Sequence, residues 1–131
     1  MFLNSLKKRN PELIETAVEF HQNRILPPNT WVIDLDAIAF NAQILAEKAR
    51  EYHLSTYVMS KQFCRNPLVN LVAIKKGLYK VVAVDIQGAK ILHRYRVPVG
   101  HIGHLNQIPR CDLEFALNLN PDVITVFSLE F

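Results

Sequence analysis

Five short apolar runs recur along this chain at intervals of roughly 25 residues, and the runs are separated by residues with helical spacing. They are Trp31 to Leu35, Tyr57 to Met59, Tyr79 to Val84, Val97 to Ile102 and Asp122 to Phe127. Strand, helix, strand in that order is the pattern of right-handed βαβ units around a parallel sheet, so the expected fold class is α/β. A complete (β/α)8 barrel has eight strands and about 250 residues. At 131 residues, this chain is therefore expected to be the N-terminal part of a (β/α)8 TIM-type barrel, with about five parallel strands and a leading helix. The expected organisation is a leading helix and linker over 1–29 and a partial barrel domain over 30–131, ending near strand five. Such a piece has open edges at its first and last strands, which favours pairing with another copy or a complementary chain.

The turns between the runs are marked by residues of known use. Asn10 and Pro11 open the leading helix, whose apolar face is Leu13, Ile14, Ala17, Val18 and His21, and Pro27-Pro28 ends that segment. His21 on this face reads as a packed or half-exposed side chain rather than a ligand. Asp36 caps a helix with Ile38, Ala42, Leu45, Ala49 and Tyr52 at helical spacing. Asn66 and Pro67 start the next helix, Gly77 ends it in the left-handed region, and Asp85 and Asp112 begin two more. Pro98 lies near the start of the fourth strand, where a missing donor is tolerated, and Ser128 would cap a further helix.

Chemistry centres on Lys61. The run Tyr57-Val58-Met59 gives way to Ser60 and Lys61, and a loop and helix start follow within a dozen residues. A lysine so placed lies at the carboxyl end of a parallel strand, where α/β sheets and barrels build their active sites. Its amine condenses with carbonyls once burial or a neighbouring cation such as Arg65 keeps it unprotonated. Without such a role it carries the chain from core to solvent.

Thr30 to Asn41, with its Ile33-Asp34-Leu35-Asp36-Ala37-Ile38 core, followed about twenty residues on by Tyr57-Val58-Met59-Ser60-Lys61, resembles the alanine racemase N-terminal domain family. The resemblance runs from about Thr30 to the last residue. It implies a pyridoxal 5'-phosphate (PLP) barrel in which Lys61 forms the internal aldimine and serves as one of two bases exchanging the α-proton of an amino-acid substrate. The loop Lys61 to Pro67 departs from the alanine racemase pattern, which has an aromatic residue at the position of Arg65, and is more similar to the ornithine racemase-like branch. The resemblance also implies that the cofactor phosphate is held by later strands, and that the second base comes from a C-terminal domain of a partner subunit. Neither maps onto this sequence, so activity from this chain alone is not expected.

Candidate cofactor-binding residues beside Lys61 are Asp34, Arg65 and His101. Asp34 either lines the barrel or pairs with a cation such as Lys61. Arg65 either contacts a phosphate or carboxylate as a bidentate donor or is solvated. His101 and His104, after strand four, could approach the cofactor plane or a substrate carboxylate, but they lack a third ligand at metal-site spacing, so no metal is expected. Cys64, beside the lysine, has no histidine base near it in sequence. The alternative function is a non-catalytic half-barrel remnant or oligomerisation module.

Composition narrows the remaining classes. A net charge of +3 comes from 15 basic and 12 acidic residues that are interspersed, so nucleic-acid binding is not expected. Cys64 and Cys111 lack paired spacing, which fits a reducing compartment. No apolar run approaches a membrane span and the first ten residues lack a signal-peptide core, so a cytoplasmic protein is the expectation.

Overall fold

In the computed structural model, residues 2–104 and 106–128 are described. The chain divides into two compact units, Met1–Asp34 and Leu35–Phe131.

The N-terminal unit is a pair of helices, α1 (Phe2–Arg9) and α2 (Pro11–Gln22), followed by turns and an irregular stretch. Asn10 caps α2 by accepting from the Leu13 amide, with Pro11 in the first turn, as the sequence suggests. The unit nevertheless starts one helix earlier than expected, and α2 ends at Gln22, before the prolines. Leu6, Leu13, Ile14, Ala17, Val18 and Val32 line one groove of this unit.

The expected first strand, Trp31 to Leu35, is not a strand. Residues 31–34 are irregular, and Leu35 already belongs to helix α3 (Leu35–Glu51). Trp31 is 85% exposed and Val32 36% exposed. A short apolar run without burial has nothing to hold it in a sheet, and periodicity alone does not separate the two outcomes. Asp36 accordingly lies within the first turn of α3 rather than before it. Its charge there still complements the helix dipole.

The second unit holds a four-stranded parallel sheet in the order β1 (Tyr57–Met59), β2 (Lys80–Ala83), β3 (Val99–Ile102) and β4 (Val123–Ile124). Between the strands run α4 (Pro67–Lys75), α5 (Ile86–Arg94) and α6 (Leu113–Asn118). The sheet thus has four strands where five were expected, the shortfall being the irregular stretch at 31–34. The helix expected after Ser128 lies outside the described residues. The caps behave as their residue types dictate. Asn66 accepts from the amides of Leu68 and Val69, Asp85 accepts from that of Gly88, and Gly77 follows α4 with φ +107°. Asp112 precedes α6 without a side-chain capping bond and pairs instead with Lys90 at 2.7 Å.

Side chains alternate across the sheet. One face, with Val58, Val81, Ala83, Val99, Ile102 and Ile124, packs into a core with Ile86, Ala89, Leu92, Ala116 and the partly buried Ile74 and Phe115. All three connecting helices therefore cover the same face. Helix α3 packs on α4, and its buried residues Ala42, Ala46 and Ala49 are all small. The opposite face carries Tyr57, Met59, Lys80, Val82, His101 and Thr125.

Gly100 decides which face receives His101. Val81 stands opposite Val99 but Val82 stands opposite His101, so Gly100 is an extra residue in β3. Without that bulge His101 would fall in the row of Ala83 and point into the helical core. A Cβ on Gly100 would meet the Tyr57 ring at 2.4 Å and Lys80 Cβ at 2.8 Å, so only glycine fits.

Candidate functional site

Lys61 opens a single 3-10 turn, Lys61–Phe63, directly after β1 and the fully buried Ser60. It stands at the carboxyl end of a parallel strand, as the sequence predicts, but that strand is an edge strand because the expected strand before it does not form. The side chain is exposed, and among the described residues it makes no side-chain hydrogen bond or ion pair. The loop is closed by backbone bonds from Arg65 N to Ser60 O at 2.9 Å and from Cys64 N to Lys61 O at 3.2 Å. It turns through two successive left-handed residues, Cys64 at φ 54° and Arg65 at φ 61°. For non-glycine residues that conformation costs on the order of 1 kcal/mol each, so other contacts must hold it.

Arg65 makes such a contact. Its Nη2 donates to Asp85 Oδ2 at 2.8 Å, while the second carboxylate oxygen of Asp85 accepts from the amide of Gly88. One carboxylate thus joins the Lys61 loop, the end of β2 and the first turn of α5. The guanidinium lies against Gly88, where a Cβ would meet Nε at 2.8 Å. Arg65 Nε is buried without a partner among the described residues. The neighbouring helix α4 has a similar orphan, Asn70 Oδ1, although Asn70 Nδ2 donates to Asn66 O at 3.0 Å.

His101 is half-buried on the sheet face opposite the connecting helices, with Nε2 2.7 Å from Thr125 Oγ1 and the His104 ring perpendicular to its own at 5.9 Å. Partial burial, then the neighbouring His104 charge, hold its imidazole below the usual range. Met59, Val82 and His101 share one register row, and Lys61 lies two residues beyond Met59. Two strand spacings put β1 and β3 roughly 10 Å apart. Among the described residues, no group of three or more His, Cys, Asp and Glu side chains is gathered as a metal site would require. Cys64 and Cys111 are free and exposed.

Asp34 belongs to the N-terminal unit, where its carboxylate accepts from the side-chain amide of Asn10. The sequence offers either a place in the barrel lining or a pairing with a cation such as Lys61, and a partner that Asp34 meets here is the Asn10 side-chain amide. Asp85 is a cap, as expected, but its second role as the partner of Arg65 is not visible from spacing.

A second polar cluster lies at the amino end of the same face. Lys80 Nζ donates to Asp122 Oδ1 at 2.8 Å and Tyr57 Oη to Asp122 Oδ2 at 3.1 Å, with Lys80 5.0 Å from the centre of the Tyr79 ring. The hydrogen bond from Lys80 is the main cause that lowers the Asp122 carboxyl, and the same bond raises the Lys80 amine. Desolvation, then the bond to Asp122, raises the Tyr57 hydroxyl. Sequence reasoning missed this cluster. Its available signal was Gly100 inside a strand, which marks a bulge or a close approach.

No protein-family model matches the chain. Over 130 residues, 99% of its length, it is 42% identical to a protein of Escherichia coli K12 described as uncharacterized protein YhfX. The chain spans 34% of that relative's length, about a third of it. No helix among the described residues is long and apolar enough to cross a membrane.

Proposed function

We propose that this chain is the N-terminal part of a pyridoxal-phosphate-binding (β/α) barrel of an amino-acid racemase-like enzyme, with Lys61 as its cofactor lysine. The observation that carries the reading is the position of Lys61 at the carboxyl rim of a singly wound parallel sheet. Consecutive order β1-β2-β3-β4 with every crossover helix on one face is how a barrel is wound, whereas a doubly wound sheet reverses its order and places helices on both faces. The face opposite the helices is then the barrel interior. Its polar groups are already paired, Lys80 with Asp122 and His101 with Thr125, so the rest of a barrel could bury them without stranding a charge.

The residues present fit such a cofactor. Lys61 would hold it through Nζ, and His101, turned onto that face by Gly100, would stand near it. The cofactor supplies an electron sink for a substrate carbanion. Lys61 would take and return the α-proton at Nζ on one side of the substrate. The opposite base and the phosphate site fall to the remaining two thirds of a protein of the relative's length. Arg65 is engaged by Asp85, so it is not assigned as a cofactor ligand.

An absorbance titration with pyridoxal 5'-phosphate, alongside Lys61→Ala, tests the reading. The expected result is a saturable band that Lys61→Ala abolishes. The second reading, a non-catalytic half-barrel that assembles with another copy or a complementary chain, draws on the exposed Val123, Val126 and Phe127 at the β4 edge. Equal, non-saturating bands from both proteins favour it.

A further inference from the structure

We infer that Arg65 is a positioning residue for Lys61: a clamp on Asp85 and Gly88 that fixes the loop carrying the amine, and not an anion ligand. This inference rests on the proposed cofactor role of Lys61. A lysine side chain is long and flexible, so the placement of its backbone decides where the amine can reach. Here that backbone is held in a loop closed by Ser60 and Arg65 and bent through two left-handed residues.

Three observations converge on the guanidinium. Nη2 is bound at 2.8 Å to a carboxylate that is itself fixed by capping α5. Gly88 leaves the space in which Nε and Cδ lie, since a Cβ there would meet them at 2.8 and 3.3 Å. Nε is buried without an acceptor among the described residues, so packing against Gly88, and not complete hydrogen bonding, sets the side chain's place. A guanidinium waiting for a phosphate would instead be free of a competing carboxylate, which Arg65 is not.

Asp85→Asn and Gly88→Ala displace Arg65 by different routes. The first substitution keeps a side-chain oxygen able to cap α5 but removes the charge that holds Arg65. Alanine is otherwise the better helix former at 88, so a loss there comes from the clash with the guanidinium at 2.8 Å and, less severely, with the capping oxygen of Asp85 at 3.2 Å. Two measurements on the full chain are compared, both below the melting temperature of each variant. Trypsin cleavage of the Lys61–Gln62 bond reports the loop without any cofactor. Pyridoxal phosphate affinity, read as adduct on Lys61 after borohydride reduction, reports the amine. In that adduct, Nζ bonds the aldehyde carbon, one water leaves, and borohydride delivers hydride to the same carbon.

The clamp predicts faster cleavage at Lys61–Gln62 and roughly tenfold weaker binding in each variant, with the double variant no worse than either single one. Unchanged affinity in folded variants overturns it, whether or not they melt earlier. Tighter binding in Asp85→Asn also overturns it, because a freed Arg65 would then be acting as an anion ligand. No adduct on Lys61 in the unmutated chain overturns the functional reading, and this inference with it, before any variant is compared.

Discussion

Tyr57, at the start of edge strand β1, donates its hydroxyl to Asp122, which precedes the opposite edge strand β4, 65 residues away in sequence. The ring crosses the sheet over Gly100, and Lys80 reaches the same carboxylate from β2. The Asp122 amide also donates to Gly100 O of β3 at 2.8 Å, so this cluster ties all four strands at their amino ends, opposite the rim that carries Lys61.

Gly100→Ala should disturb this arrangement more than any single polar substitution in it. The new Cβ has no room beside Tyr57 and Lys80, and relieving the overlap shifts β3 at the bulge that aims His101. Destabilisation of about 1–3 kcal/mol is expected in a denaturant melt. His101 should also lose its bond to Thr125, seen as a change in its NMR titration.

Stability should fall with acid through His101. Its folded pKa lies below the unfolded value of about 6.5, so the unfolded chain binds the extra proton first. The contribution is fully present above that value and is lost as pH falls through the folded pKa. Melting followed from about pH 8 down to about pH 5 should show a decline that is reduced in His101→Gln. At lower pH, Asp122→Asn should remove a second decline, since the Asp122 carboxyl is held low chiefly by Lys80.

Asn66→Ala should cost about 1 kcal/mol by leaving the Leu68 and Val69 amides of α4 uncapped. Because α4 follows the Lys61 loop directly, trypsin cleavage in that loop should also rise. Lys61→Ala, at an exposed position, should leave stability within about 0.5 kcal/mol of the original.

Much of the fold was legible because its signals are local. Asn66, Gly77 and Asp85 act as caps and a terminator through their own side chains or their lack of one. Four of the five apolar runs became strands. The fifth, at Trp31, failed because a strand depends on burial and partners that no local pattern records. Lys61 was legible as the end of a strand, but the site around it was only partly so. The Arg65 to Asp85 contact joins two segments 20 residues apart, and His101 depends on a one-residue bulge. Both are set by packing between strands, which spacing along the chain does not encode.

The central claim is that Lys61 carries the cofactor, and reductive trapping tests it most directly. The chain is incubated with pyridoxal 5'-phosphate, reduced with borohydride, digested and mapped by mass spectrometry. A single dominant adduct on the peptide containing Lys61, lost in Lys61→Ala, is the predicted result. Adducts spread over the exposed lysines, with Lys61 no more modified than Lys48 or Lys75, would contradict it.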